Sequence, residues 1–264
     1  MWERLVEAFD GAFDGLRDEV FPKKVFDFGW ISINESVISG FIVVAAILLV
    51  ALILRLTIIR KWKMTPSGGQ MFLEWLVCFF DKSADEMTEK YSGLMGPYTF
   101  GAAAYICCGV LIELFGLRPA IADLGACLAL ALCTFLFIHV LGFMKNKARR
   151  LLHYANPINI ITDLAVPVSM TFRLFGSILS GMVIMEMVYI MVIALYSALK
   201  VLGISVIFAA VLTPLFTLFH AFIQSYVFAS LTLTFVQEAI ETPPKKPKRV
   251  KKKKGAQAAE AQAA

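Results

Sequence analysis

Arg173 is the residue whose surroundings point most directly to chemistry. It lies inside a stretch, residues 164–199, that is apolar throughout except for Arg173 and Glu186. A charge at membrane depth costs roughly 2.5–3.5 kcal/mol, and a guanidinium stays protonated at any physiological pH. Proteins keep such a charge where it serves a function, so Arg173 is predicted to carry the activity of the chain.

The predicted helix around Arg173 has a face of small and polar residues. Asp163, Met170, Ser177 and Ser180 recur at spacings of three, four and seven along this face. Gly176 and Gly181 thin the helix, which lets another backbone or a partner protein approach the arginine closely. The alternative is an arginine that snorkels from a helix end, but apolar residues extend far in both directions.

A second polar stripe follows in the last apolar stretch of the chain. Its members share one helical side: Thr213, Thr217, His220, Gln224 and Thr232. Each of them could simply satisfy a hydrogen bond between helices. Gln224 has the sharper interpretation, because an amide carbonyl can stabilise a guanidinium without neutralising it.

Glu186 is the other charge within the stretch that carries Arg173. The two residues lie about 20 Å apart along a helix at 1.5 Å per residue, too far for a salt bridge. We therefore expect Glu186 to be an ionisable step in an aqueous path nearer the outer face.

The composition indicates an integral membrane protein. Hydrophobic residues make up 59% of the chain, charged residues 17%, and the mean hydropathy is +0.73. The net charge of +5 comes from the tail, which carries eight basic and two acidic residues from Glu241 onward. The five cysteines lack the spacing of metal ligands, so we expect neither a metal nor another cofactor.

The hydropathy pattern predicts an all-α fold with about five membrane crossings. The expected crossings are residues 36–59, 98–117, 124–144, 160–199 and 201–240, because about 20 apolar residues span a bilayer. The last two exceed that length, which predicts a strongly tilted hairpin. Residues 1–34 are predicted to be an amphipathic or interfacial segment, residues 69–90 a surface helix, and residues 241–264 a disordered basic tail.

The basic residues predict the orientation. With the N-terminus outside, the clusters at 60–63 and 145–150 and the lysine-rich tail all fall on the cytoplasmic side, as the positive-inside rule requires. The tail is expected to lie near anionic lipid headgroups rather than to bind nucleic acid, because lysine runs alone are weak patterns.

Two segments resemble the subunit a family of F-type ATP synthases. Residues 167–177, PVSMTFRLFGS, resemble its arginine signature, and residues 219–231 around Gln224 resemble its last helix. The resemblance covers about residues 26–240, including 119–132. It implies a stator subunit that is not an enzyme on its own and that forms two ion half-channels beside a rotating c-ring. Implied partners are the c-ring, the subunit b stalk and translocated H⁺ or Na⁺, in a bacterial plasma membrane.

The chain departs from the family pattern at three positions. Ser177 replaces the usual Asn, while Met182 and Thr217 stand where many members carry an acidic/histidine pair. Glu186 and His220, one helical turn away from those positions, are predicted to replace the pair.

Two other function classes compete with this interpretation. A secondary transporter or channel could bind an anionic substrate at Arg173, but it predicts inverted repeats and interrupted helices, and no internal repeat is visible in the sequence. A purely structural membrane anchor would leave the two polar stripes unexplained.

Overall fold

The structure is a computed structural model that describes residues 24–27, 32–57, 59–61, 68–88, 91–145, 157–199 and 202–240. Most of the predicted interfacial segment and the whole basic tail lie outside these residues. The helices are α1 Glu35–Thr57, α2 Gly69–Thr88, α3 Ser92–Leu111, α4 Leu124–Lys145, α5 Pro157–Leu199 and α6 Leu202–Ile240. Two 3₁₀ turns, Ile59–Lys61 and Ile112–Phe115, follow α1 and α3.

The predicted all-α membrane fold is confirmed. Within the described residues, five helices (α1, α3, α4, α5 and α6) are long and apolar enough to cross a bilayer. Helix α2 carries several charges and is not among them, in keeping with the prediction of a surface helix. It packs beside α3 and α6, where Phe80 contacts Phe100 and Phe79 contacts Tyr226.

Two details differ from the prediction. Helix α3 begins at Ser92, six residues before the predicted crossing, because it continues through Pro97 rather than starting after it. Ahead of α1, the strands β1 Lys24–Asp27 and β2 Ser32–Asn34 form a short antiparallel hairpin that the hydropathy pattern did not indicate.

Helices α5 and α6 form the predicted long hairpin. They contain 43 and 39 residues, about 65 and 59 Å at 1.5 Å per residue, roughly twice the 30 Å hydrocarbon core. Lengths of this kind require oblique helices. Their antiparallel register is defined by Gly181, where an added Cβ would lie 3.7 Å from ring carbons of Phe216 and His220, and by a 3.3 Å hydrogen bond between Tyr189 and Thr213.

The turn between α3 and α4 folds back into the bundle. Ala120 donates a backbone hydrogen bond to the Gly109 carbonyl at 3.2 Å, and Ile121 is fully buried. The start of α1 meets the same turn, because Asn34 Nδ2 donates to Asp123 Oδ2 at 3.3 Å. Following the predicted orientation, we call this end of the bundle the outer end and the opposite end, where α5 begins and α6 ends, the inner end.

Candidate functional site

Arg173 points away from the helices of its own chain. Its side chain is exposed, and so is that of Phe172 beside it, whereas Leu174 is fully buried. Three residues later along the helix, nothing lies within 4 Å of a Cβ built on Gly176. We call Val168, Phe172, Arg173 and Gly176 the lateral face of α5.

On the lateral face, the guanidinium is open to a partner from outside the chain. Among the residues that the structure describes, Arg173 makes no hydrogen bond and no ion pair. An unpaired cation is expensive in hydrocarbon. The position is therefore suited to a partner that brings negative charge to it from the side.

Gln224 lies at the depth of Arg173 but inside the bundle. Gly181 of α5 lies beside Phe216 of the antiparallel helix α6. Arg173 lies eight residues before Gly181 and Gln224 lies eight residues after Phe216, so the two reach a similar depth. Its side chain is only 6% exposed, and its Nε2 has no hydrogen-bond partner. The structure thus brings the two predicted residues to one level and shows no contact between them.

A small cavity lies between α5 and α6 on the outer side of Arg173. Its volume is about 10 Å³, near the roughly 10–15 Å³ that one water molecule requires. His220 and Thr217, both predicted site residues, line it together with Met182. The remaining lining residues come from α3 with its 3₁₀ turn, the folded-back turn, α5 and α6: Val110, Glu113, Pro119, Ile178, Gly181, Met185 and Phe216.

Glu113 is a lining residue that the sequence reasoning missed. It lies in the 3₁₀ turn that ends at Gly116, whose positive φ of 76° stops the helix. The signal in the sequence was an acidic residue inside the second apolar stretch. The mean hydropathy of that stretch stays high despite one acidic residue, so hydropathy did not single it out.

Glu186 does not line this cavity. Its neighbour Met185 does, and successive helical residues point about 100° apart at 3.6 residues per turn. The structure therefore brings His220 together with Glu113 rather than with Glu186. The assignment of Glu186 to the ion path stays a prediction.

A pair of ionisable side chains lies on the inner side of Arg173. His139 Nε2 of α4 is 3.6 Å from Asp163 Oδ2 of α5. The other ring nitrogen, Nδ1, is 3.0 Å from the Phe135 carbonyl. Asp163 was a predicted site residue, whereas His139 was missed, because sequence spacing cannot show which residue of α4 faces α5.

The remaining predicted hydroxyls, Ser177 and Thr213, form hydrogen bonds within the bundle. Ser177 donates to the Leu174 carbonyl at 2.9 Å, and Thr213 shares its hydrogen bond with Tyr189. In the described part of the chain, no group of three His, Cys, Asp or Glu residues is placed to hold a metal ion.

Comparison with known proteins adds an independent observation. Residues 38–237, which include Arg173 and Gln224, match the family described as ATP synthase A chain. The chain is 26% identical over 227 residues to ATP synthase subunit a of Moorella thermoacetica, covering 82% of this chain and 95% of the relative. It is 29% identical to ATP synthase subunit a of Cereibacter sphaeroides (74% and 77% covered), and 28% identical to ATP synthase subunit a 3 of Pelobacter propionicus (74% and 85%).

Proposed function

The chain belongs to the ATP synthase A chain family, and from that membership we propose how it works as the stator subunit of the membrane (Fo) sector. Two ion half-channels approach Arg173 from opposite sides, and the lateral face of α5 lies against a rotating ring of carboxylates, the c-ring. The observation that supports this most directly is the exposure of Arg173 on that face, with ionisable side chains toward both ends of the bundle.

The spacing of these groups fits two separate paths. Asp163 precedes Arg173 by ten residues and Gly181 follows it by eight, about 15 and 12 Å at 1.5 Å per residue. The pair His139–Asp163 would serve the inner path, and the cavity beside His220 the outer path. Neither group of side chains reaches the arginine, which leaves it as the boundary between them.

Arg173 acts as a fixed charge in this mechanism. A ring carboxylate that passes it releases its bound cation, because the ionised carboxylate is favoured beside a guanidinium. The same charge repels an ion that would cross directly between the two paths. Ions must therefore travel with the rotor for nearly a full turn, which couples their flow to torque. At about 2.3 kcal/mol per charge per 100 mV, several ions are needed for each ATP.

The chain is a multi-pass membrane protein that works with other ATP synthase subunits and has a non-catalytic role. We infer that its direct partners are the c-ring and the subunit b stalk, and that the translocated ion is H⁺ or Na⁺. We infer a bacterial plasma membrane. The positive-inside pattern supports an N-terminus outside and a tail in the cytoplasm, near anionic lipid.

No observation favours a secondary transporter that binds an anion at Arg173. Such transporters use interrupted helices at the binding site, whereas α5 runs without a break from Pro157 to Leu199.

Two measurements test the proposed function. Purification in mild detergent should recover the chain with a small, stable oligomeric ring and ATPase activity. In inside-out vesicles that contain the intact complex, Arg173→Ala should abolish ATP-driven ion pumping without loss of assembled complex. Normal pumping by that variant would refute the proposal. Stimulation of ATP hydrolysis by Na⁺ at alkaline pH distinguishes the two coupling ions.

A further inference from the structure

We propose that Glu113, not Glu186, supplies the carboxylate of the outer ion path, and that it exchanges protons with His220 across the cavity between them. This inference rests on the proposed function and assigns residues to one of its two paths. It makes a distinct claim, because the mechanism at Arg173 does not specify which acidic residue of this chain is used.

Two of the residues that line the cavity are ionisable, and helix packing brings them to the same cavity. Glu113 lies at the end of α3 and His220 lies on α6, 107 positions apart in the chain. The other lining side chains on α5 and α6 do not titrate, among them Met182 and Thr217. The charged residues of the neighbouring turn, Arg118 and Asp123, are outside the lining.

His220 has an unused polar atom at this site. Its Nε2 is buried and has no hydrogen-bond partner, and a buried polar atom is normally paired with protein or with water. The cavity volume matches about one water molecule. A water there would let a proton pass between the Glu113 carboxylate and the imidazole of His220.

The position of Glu113 suits the access side of such a path. It lies beyond Gly109 along α3, toward the end of the bundle where the folded-back turn packs. A proton from outside would bind the Glu113 carboxylate, move through the cavity to His220 Nε2, and leave toward the ring carboxylate near Arg173. The charge of each group returns to its starting value after one transfer. Because an imidazole takes up and releases protons near neutral pH, this arrangement suits H⁺.

The test compares Glu113→Gln with the matched variant Glu186→Gln in the intact complex. Passive H⁺ flux through the membrane sector is measured in Na⁺-free vesicles from which the catalytic sector has been stripped. Glu113→Gln should lower the flux at least about tenfold. A positioned acid–base group typically contributes a factor of about 10²–10⁴ to a rate, so this expectation lies below that range. Glu186 is not among the lining residues, so Glu186→Gln should lower the flux less than Glu113→Gln does.

A rescue variant separates a proton-transfer role from a structural one. Met182 lines the same cavity, so Met182→Glu would return a carboxylate to it. Glu113→Gln combined with Met182→Glu should therefore restore the flux. Glu113→Gln combined with Val168→Glu, on the lateral face, should not. The amount of assembled complex and its ATPase rate report folding for every variant.

The outcomes distinguish this inference from the proposed function. If Arg173→Ala abolishes coupled pumping while Glu113→Gln keeps normal flux, the assignment of Glu113 fails and the stator role stands. A loss with Glu186→Gln alone, a flux that requires Na⁺, or failure of the Met182→Glu rescue in an assembled complex would each overturn the assignment. If Arg173→Ala pumps normally, the proposed function itself fails.

Discussion

Replacing Arg173 by Ala should open a direct leak between the two half-channels. Along α5, Arg173 lies about 15 Å from Asp163 and about 12 Å from Gly181, which packs beside His220, at 1.5 Å per residue. At an effective dielectric constant of about 20, its charge acts on a cation at 12 Å by only about 1.4 kcal/mol, but by about 4 kcal/mol at 4 Å. Arg173 is therefore a barrier only to ions that pass beside it.

The size of that barrier sets the expected leak. Removing about 4 kcal/mol accelerates passage roughly 10³-fold, since about 1.4 kcal/mol corresponds to a factor of ten in rate. The assay is passive flux of the coupling ion, driven by a K⁺ diffusion potential, in vesicles stripped of the catalytic sector. Arg173→Lys keeps the positive charge and should leak no more than about tenfold above the parent on the same scale.

Two results would refute this reasoning. If Arg173→Ala and Arg173→Lys leak equally fast, the shape of the guanidinium rather than its charge forms the barrier. If neither variant leaks while both lose ATP-driven pumping, the paths are separated by packing, and Arg173 acts only on the ring.

Two further perturbations probe the inner path and the packing of α2. Asp163→Asn and His139→Gln should each lower passive flux. The double variant should lose no more flux than the stronger single variant, because the effects of substitutions at contacting residues do not add. Additive losses would show that the two residues have separate roles. Gly96→Ala should lower the thermal unfolding midpoint of the purified complex relative to Gly101→Ala, because its added Cβ would force the exposed Asp81 carboxylate to move. Asp81→Ala should relieve that cost, and Gly101→Ala, with nothing within 4 Å of the added Cβ, serves as the control; equal effects at both glycines would contradict the proposed collision.

The sequence by itself determined the class of the protein and the number of candidate crossings, and it predicted the importance of Arg173. These features depend on local quantities: the length of an apolar stretch against the bilayer thickness, and the cost of one charge within it. The long hairpin of α5 and α6 was predictable for the same reason, since each stretch exceeds the length of an upright crossing.

Only the tertiary structure decided which polar residues meet. Helical periodicity assigns a residue to a face but does not identify the helix that covers this face. The contact of His139 with Asp163 therefore depends on how α4 packs against α5. In the same way, the packing of the α3 end brings Glu113 to the cavity that His220 lines. The same limit applies to Gln224: the sequence predicted an interaction with Arg173, but packing buries Gln224 in the bundle and leaves the arginine exposed.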